Sequence, residues 1–427
     1  MLIAASLANG ESLVHHALAS ADLERTREIL QTAGAVLKDL GSGDWKVTGM
    51  PCGPIGGALS GGQSADCFVS ESGTTCRLLT AVLAAGHGSF HIHGVPRMHE
   101  RPIGALTDAL SALGTDISFK SQSGYPPMVL HASGLKGGDV SLSIDASSQY
   151  LSGLLLAAPF CKEALRVTLS GSKVVSWPYV GLTLQVLEDF GITFTVEQLK
   201  NGEWKAVPWK SLTSVKPGEL RITVQPGEYR AGEYSVEGDW SGASYLLAAG
   251  AVGQAPVLVT GLRADSIQGD RAMLDILRAM GASIDVRDDG ILVSPSPLHG
   301  VEVDMGACPD LVPTVAMTAA FAEGVTRITN IAHLRIKECD RLSACSAELA
   351  RIGIKTEESA DSLTIYGVGP ASPVVPSGTV FHTYNDHRLA MACSLLGLAP
   401  ESEAPVDDPG VVRKSFPEFW KVWSALK

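Results

Sequence analysis

The sequence predicts an α/β (α+β) fold in two domains that are built from a repeated αβ unit. The first observation is length, because 427 residues exceed what one ordinary core accommodates. The second is a helix pattern that ends in glycine and is followed by strand-like residues, with steps of 80, 77, 90 and 72 residues between successive glycines. The third is a set of Ala- and Leu-rich segments that are apolar nearly all round, which is typical of buried helices.

The glycine-terminated helices give the repeat its element order. Each places glycine where the residue after a helix adopts a left-handed conformation. β-rich residues follow, as in 191–196 and 281–286, so each unit joins a helix to a strand. The five segments are Leu30–Gly34, Leu110–Gly114, Leu187–Gly191, Leu277–Gly281 and Leu349–Gly353.

The apolar helices carry polar residues at their N-termini. Ser, Asp and Asn at those positions are ordinary helix caps when each is taken singly. If the N-termini converge, their N–H groups and dipoles favour an anion. The helices are predicted over Thr74–Gly86, Ser147–Pro159, Trp240–Gly253, Asp310–Gly324 and Asp386–Ala399.

The domain boundary is predicted near residue 236. Around 226–234 the composition changes to Gly, Pro and charged residues, and Glu237-Gly238-Asp239 then begins a buried helix. The predicted domains are therefore 1–236 and 237–427.

Composition excludes several classes of protein. A net charge of -12 argues against a nucleic-acid partner, and no apolar run reaches the roughly 20 residues of a membrane span. Eight scattered cysteines without metal-ligand spacing indicate free thiols in a reducing compartment, which is the cytoplasm or a plastid-like stroma, and of these we expect the cytoplasm. No carboxylate or Cys completes a ligand set with His91, His93 and His99, which favours strand and loop roles over a metal site.

The stretch 330–342 concentrates charge, with five charged residues in thirteen. On a helix, Lys337 and Arg341 would share a face, with Glu338 beside the guanidinium. Two cations and a carboxylate there can hold an anion and move a proton. A solvated helix with ion pairs is the alternative for this turn alone.

Further polar groups lie at other predicted helix starts. Arg101 precedes the helix Ile103–Leu113, with Pro102 in its first turn. Ser147 and Ser148 begin one buried helix, and Ser176 precedes the helix Val180–Phe190.

Taken together, these segments resemble the 5-enolpyruvylshikimate-3-phosphate synthases of the enolpyruvyl transferase family over essentially the whole chain. The resemblance implies two similar domains, each of three repeated αβ units with buried parallel helices, and a ligand cleft between the domains. It implies transfer of the enolpyruvyl group of phosphoenolpyruvate to the 5-hydroxyl of shikimate 3-phosphate, with no metal or organic cofactor. The motifs that carry it are 97–103 (RMHERPI), 147–149 (SSQ), 176–179 (SWPY), 236–239 (VEGD), 335–341 (RIKECDR), 384–388 (YNDHR) and 414–417 (KSFP).

The resemblance also implies roles for individual residues. Asp310 would be the base toward the 5-hydroxyl, and Glu338 and His387 would assist proton transfer. Arg101, Arg341, Arg388 and Lys414 would grip phosphoenolpyruvate. The remaining expected substrate-binding residues, mostly toward shikimate 3-phosphate, are Gly73, Ser147, Ser148, Gln149, Ser176, Tyr179 and Lys337.

The chain departs from the family pattern at three places. One is His333, which stands where many members have Asn before the Lys-Glu motif. Glu71 stands where the family usually has Asn, before Ser72-Gly73-Thr74. At the start, Met1-Leu2-Ile3 matches a helix that follows the family's first strand and its Lys-Ser-x-x-x-Arg segment. We therefore expect a start assigned too late, and low activity for the chain as given.

Two alternatives remain at this point. A non-catalytic or impaired paralogue that binds the same anions fits the missing cations. A UDP-amino-sugar enolpyruvyl transferase would carry a reactive Cys in a Gly- and Arg-rich loop, and Arg97–Ile103 has none. In either case we expect a monomer that binds small molecules, with domain closure assembling the site.

Overall fold

The computed structural model describes residues 1–57, 63–212 and 215–426, which form two compact units, Met1–Val236 and Glu237–Lys427. The described helices of the first unit are α1 (Leu2–Leu7), α2 (Ala21–Thr32), α3 (Gly73–Ala84), α4 (Pro96–His99), α5 (Gly104–Ala112), α6 (Gln149–Ala157) and α7 (Trp177–Asp189). Those of the second unit are α8 (Trp240–Val252), α9 (Ala272–Ala279), α10 (Val312–Ala319), α11 (Arg341–Arg351), α12 (His387–Cys393) and α13 (Phe419–Ser424).

Short strands alternate with these helices throughout. The first unit contains β1 (Ala8–Asn9), β2 (Glu11–His15), β3 (Val36–Gly41), β4 (Asp44–Thr48), β5 (Ala65–Phe68), β6 (His87–His93), β7 (Asp116–Phe119), β8 (Met128–Ser133), β9 (Gly138–Ser143), β10 (Leu165–Ser170), β11 (Phe194–Lys200), β12 (Glu203–Ala206), β13 (Leu220–Val224), β14 (Tyr229–Arg230) and β15 (Glu233–Ser235). The second contains β16 (Val257–Val259), β17 (Ser283–Arg287), β18 (Gly290–Ser294), β19 (Glu302–Asp304), β20 (Glu323–Thr329), β21 (Thr356–Glu358) and β22 (Leu363–Val368).

One sheet plan recurs in both units. In the sheet β5-β6-β8-β7, β5 and β6 are parallel and joined through α3, and β8 is antiparallel to both β6 and β7. The sheets β15-β2-β4-β3 and β19-β20-β22-β21 follow the same order, and β12-β11-β13-β10-β9 adds a hairpin strand. These sheets confirm the repeated αβ unit that the glycine spacing predicts.

The first unit contains three sheets of this plan, as the resemblance implies for a domain. Within the described residues of the second unit two sheets occur, the smaller being β16-β18-β17. The third repeat of the second unit is built on α12, where Phe381 and Val406 form an isolated β-bridge. Pro373, Pro376 and Pro405 lie in its flanking segments, and proline cannot donate to a sheet ladder.

All five predicted helix-ending glycines adopt positive φ, from +76° at Gly191 to +113° at Gly34. The strand predicted after each of them is present. The predicted helix Ile103–Leu113 begins one residue later, because Pro102 precedes the N-cap Ile103 instead of entering the first turn.

The apolar helices are buried nearly all round, as predicted. Two contacts show that α3 and α6 run parallel. Gln149 at the start of α6 donates to Thr74 at the start of α3, and one turn further along Gly153 lies against the Arg77 backbone. Several caps also match the prediction: the Ser72, Asp239 and Asp386 side chains accept backbone N–H groups of their own helices.

Two further findings concern the class of protein. All eight cysteines are free thiols. In the part of the chain that the structure describes, no helix is both long enough and apolar enough to cross a bilayer.

Candidate active site

In the second unit, the buried Arg341 guanidinium is surrounded by three carboxylates. Its Nε donates to Asp386 Oδ2 (2.7 Å), Nη1 to Asp310 Oδ1 (2.9 Å) and Nη2 to Glu338 Oε2 (2.8 Å). The Arg341 side chain is 2% exposed. A desolvated cation needs such compensation, and these charge-assisted bonds fix the three carboxylates in place.

The charged stretch 330–342 is not one helix, so that prediction is wrong. A 3₁₀ helix covers Ala332–Ile336, a bend follows, and α11 begins at Arg341. The cause is Asp340, whose side chain accepts the Ser343 N–H and caps α11. Lys337 and Glu338 therefore project from the bend, and Glu338 reaches Arg341 from there. Arg335 pairs with Asp340 at 2.7 Å and so supports this cap.

Arg388, at the second position of α12, shares Asp310 with Arg341. Arg388 Nη2 donates to Asp310 Oδ2 (2.9 Å), and Nη1 donates to the hydroxyl of Ser241 on α8. Asp310 lies in the 3₁₀ turn that leads into α10. The N-termini of α8, α10 and α12 therefore meet around Arg388, as the convergence hypothesis requires.

Glu338 extends this array toward the C-terminal segment. Its second oxygen, Oε1, accepts a hydrogen bond from Lys414 Nζ at 2.6 Å. The charges alternate along one chain of contacts, Arg388–Asp310–Arg341–Glu338–Lys414, which we call the charge chain. Its carboxylates are little exposed, at 22% for Asp310 and 12% for Glu338.

Asp386 is a member of the site that sequence reasoning treated only as a helix cap. Its carboxylate is fully buried, pairs with Arg341 and accepts the Arg388 backbone N–H at 2.9 Å. The sequence did contain one signal for this role, which is the position of Asp386 directly before His387 and Arg388. A carboxylate that caps a helix there can also pair with a nearby cation. Ser241 was missed for a similar reason, because its partner is 147 residues away.

Neighbouring cations keep the carboxylates of Asp310 and Asp386 ionised. Burial alone would raise the pKa of Asp310, but Arg388, Lys337 and Arg341 outweigh it and hold that pKa below its ordinary value. For Asp386, burial is again opposed, chiefly by Arg341, and the pKa is lowered. Asp310 therefore carries a negative charge at neutral pH and can accept a proton.

His387 is neutral at the same pH. Burial, assisted by Arg388 and Lys414, lowers its pKa to about 3 despite the nearby Asp386 carboxylate. Its Nδ1 is buried without a hydrogen-bond partner and lies 3.7 Å from Asp386 Oδ1. A neutral imidazole can donate from one nitrogen and accept at the other.

In the first unit, Arg101 packs over the start of α3. Its guanidinium donates to the Glu71 carbonyl (3.3 Å) and lies so close to Gly73 that a Cβ there would meet its atoms at 2.6–2.8 Å. Only glycine at position 73 leaves room for this arrangement. The structure thus brings together the predicted residues Gly73 and Arg101.

Gln149 links the N-termini of α3 and α6. It accepts from Arg77 Nη1 (3.0 Å) and donates to Thr74 Oγ1 (2.7 Å), while its own N–H donates to Ser147 Oγ (3.2 Å). The Arg77 guanidinium lies 5.5 Å from the Tyr150 ring centroid. This places an amide, a hydroxyl and a cation at one helix start.

The remaining predicted hydroxyls lie at the starts of α6 and α7. Ser148 directly precedes α6, and Ser176 precedes α7 with a left-handed φ of 53°. Both serines are buried. The two helices touch through Thr183 Oγ1 and Ser152 Oγ at 2.7 Å, within the first two turns of each helix. Tyr179 stands in the first turn of α7.

Sequence reasoning also missed a carboxylate beside the histidine pair on β6. Asp66, on the parallel strand β5, is the sheet partner of His91, and Asp66 Oδ1 lies 2.8 Å from His93 Nε2. The expectation that no carboxylate accompanies these histidines is therefore wrong. A residue 25 positions earlier in the chain reaches them only through sheet pairing.

Comparison with known proteins adds to this geometry. The family model described as EPSP synthase (3-phosphoshikimate 1-carboxyvinyltransferase) matches residues 1–423. Proteins named 3-phosphoshikimate 1-carboxyvinyltransferase from Shewanella amazonensis and Ralstonia pickettii are 38% and 39% identical, covering all of this chain and 92% and 93% of their own lengths. A solved structure of EPSP synthase from Acinetobacter baumannii has a TM-score of 0.76 at 24% identity, over this whole chain and 92% of that one.

Proposed function

This chain belongs to the EPSP synthase family, and we propose that the charge chain of its second unit performs the chemistry of the family reaction. That reaction transfers the enolpyruvyl group of phosphoenolpyruvate to the 5-hydroxyl of shikimate 3-phosphate and releases phosphate, a step of the shikimate pathway. One observation supports the proposal above the others: three cations and two carboxylates alternate from Arg388 to Lys414, with direct contacts between neighbours.

Phosphoenolpyruvate brings a phosphate and a carboxylate, which need several cations. We assign Arg341, Arg388 and Lys414 to this anion, with Arg101 of the first unit as a further cation. Because a guanidinium has five N–H donors and the three carboxylates use four of them, Arg341 keeps one Nη1 N–H for the ligand. The carboxylates position the cations before the ligand arrives, which lowers the cost of ordering them on binding.

Asp310 is the proposed base toward the 5-hydroxyl. The cations that depress its pKa, Arg388, Lys337 and Arg341, are among those assigned to the substrates. A bound anion offsets their charge, so the pKa of Asp310 rises when the substrates are present. The carboxylate then becomes a stronger base at the moment when the hydroxyl proton must leave.

Glu338 and His387 are assigned to proton transfer at the other end of the double bond. When the hydroxyl oxygen attacks the central carbon of phosphoenolpyruvate, the methylene carbon takes up a proton and becomes a methyl group. Elimination of phosphate then removes a proton from that methyl group. Glu338 is held between Arg341 and Lys414, so the Lys414 ammonium can pass a proton to the Glu338 carboxylate across 2.6 Å, and the carboxyl group so formed can return it. Neutral His387 can accept or donate beside them.

The first unit supplies the groups assigned to shikimate 3-phosphate. Ser147, Ser148 and Ser176 would bind its phosphate at the starts of α6 and α7, where helix N–H groups also favour an anion. Tyr179 lies in the first turn of α7, Gln149 is proposed to contact both ligands, and Lys337 of the second unit would contact shikimate 3-phosphate. The expectations of a monomer in the cytoplasm and of ligands bound between the domains stay predictions.

Phosphate release tests the function directly. Release from phosphoenolpyruvate is measured with shikimate 3-phosphate, with shikimate 3-phosphate omitted, and with a UDP-amino sugar in its place. We expect release only with shikimate 3-phosphate. Binding of both anions without release would identify the impaired paralogue, and release with the UDP-amino sugar would identify the other branch of the enolpyruvyl transferases.

A further inference from the structure

We propose that Asp66, His91 and His93 form a binding site for Zn²⁺ on the β5–β6 sheet of the first unit. None of the three belongs to the residues assigned to enolpyruvyl transfer. The inference therefore goes beyond the proposed function, and neither depends on the other.

Strand pairing brings the three side chains to one face of the sheet. β5 and β6 are parallel, with Asp66 opposite His91 and Phe68 opposite His93. Side chains two residues apart on a strand point to the same face, so His91, His93 and Asp66 project together. The intervening Cys67 and Ile92 point the other way and are buried in the core.

The distances suit a shared metal ion. Tetrahedral Zn²⁺ with bonds of about 2.0–2.1 Å requires ligand atoms roughly 3.3 Å apart. Asp66 Oδ1 lies 2.8 Å from His93 Nε2 and 3.6 Å from His91 Nδ1, and all three ligand atoms lie within 4.8 Å of one another. The imidazole rings are stacked at 4.5 Å with an interplanar angle of 11°. Because an imidazole nitrogen binds a metal in the plane of its ring, the two rings would rotate out of this stack to direct both nitrogens at one ion.

A surface ion pair between Asp66 and one histidine is the simpler interpretation, but it does not explain why the second histidine ring is directed at the same carboxylate. Both rings direct a nitrogen at the same carboxylate oxygen, and two imidazolium ions stacked at this distance would repel each other. A shared metal ion accounts for both contacts, because imidazole nitrogens and carboxylate oxygens are common metal ligands.

The donor set selects the class of ion. Two imidazoles and one carboxylate suit Zn²⁺ and its neighbours, whereas Mg²⁺ and Ca²⁺ prefer oxygen ligands alone. Asp66 is 66% exposed, which leaves room for water to complete the coordination. Since β5 precedes Gly73 and β6 precedes Arg101 in the chain, a bound ion would fasten together the two strands that lead to these residues.

Calorimetric titration with Zn²⁺ tests the site in the full chain. Because the exposed thiol of Cys52 could itself bind Zn²⁺, the parent chain from which the variants are made carries Cys52→Ser. We expect one equivalent of Zn²⁺ to bind and to raise the melting temperature, and neither effect with Mg²⁺. His91→Gln, His93→Gln and Asp66→Asn should each weaken binding at least tenfold, whereas His299→Gln, at an exposed histidine outside the cluster, should not.

Histidine NMR of the Cys52→Ser parent provides a readout that needs no histidine or aspartate substitution. Zn²⁺ should shift the ring signals of two histidines and leave the others in place. Absence of Zn²⁺ binding by the parent, unchanged affinity in the double variant His91→Gln/His93→Gln, or shifts at other histidines would each overturn the proposal.

Discussion

The Arg341 guanidinium and the Asp386 carboxylate form a buried ion pair, with Nε 2.7 Å from Oδ2 and side-chain exposures of 2% and 0%. The same carboxylate accepts the backbone N–H of Arg388 and so fixes the start of α12. Asp386 thereby ties the cation at the centre of the charge chain to the helix that carries Arg388. Breaking this pair should affect stability and catalysis together.

Asp386→Asn should lower the free energy of unfolding by about 3–5 kcal/mol, because a buried cation loses a charged partner. Asn retains the capping function, so the loss reports mainly on charge. Asp340→Asn is the matched control, since Asp340 also caps a helix and pairs with an arginine, Arg335, but is 37% exposed. Urea unfolding should show a loss below about 1 kcal/mol for that control. Equal losses would contradict the central role of the buried pair.

Gly73→Ala should raise KM for phosphoenolpyruvate about tenfold, which is about 1.4 kcal/mol of binding. The reason is geometric: the added methyl group would lie 2.6 Å from an Arg101 nitrogen and displace the guanidinium. Gly181→Ala is the control, because its Cβ would meet Trp209 at an ordinary 3.6 Å. Steady-state kinetics check both variants. An unchanged KM in Gly73→Ala would remove Arg101 from the phosphoenolpyruvate site.

The burial of neutral His387 predicts a pH dependence of stability. Its pKa is about 3 in the folded chain, against an ordinary value of 6.5 when unfolded. The unfolded chain therefore binds a proton that the folded chain does not, and the stabilisation present above pH 6.5 is lost as pH falls toward 3. Between pH 5.5 and 4, His387→Gln should remove a slope of about 1.4 kcal/mol per pH unit. His299→Gln, at an exposed site, should keep that slope, and an unchanged slope in His387→Gln would show that the ring is not buried neutral.

Much of the fold could be predicted because its signals are local. A helix that ends at glycine and passes into a strand needs only a few neighbouring residues, and Gly34, Gly114, Gly191, Gly281 and Gly353 all have the expected positive φ. Buried helices are likewise visible in their apolar composition. The error at 330–342 is also local, because the cap at Asp340 delays the helix to Arg341.

The site could be predicted only in part, because its partners are distant in the chain. The residue types in the motifs indicated which side chains carry charge, but not which of them touch. Arg341 and Asp386 are 45 residues apart, and Arg388 and Asp310 are 78 apart. Asp66 and His91 meet only because two parallel strands align. Such contacts depend on tertiary packing, which no short pattern contains.

Asp310→Asn tests the central claim, that a carboxylate of the charge chain accepts the proton of the attacking hydroxyl. We expect kcat to fall by about 10²–10⁴, with phosphoenolpyruvate still bound, as isothermal titration would show, because Arg341 and Arg388 remain. Asp275→Asn, at an exposed residue of α9, is the control for a lost surface carboxylate. The measurement is kcat for phosphate release at saturating substrates in a chain whose unfolding curve shows it folded. A kcat within threefold of the unsubstituted chain would contradict the account.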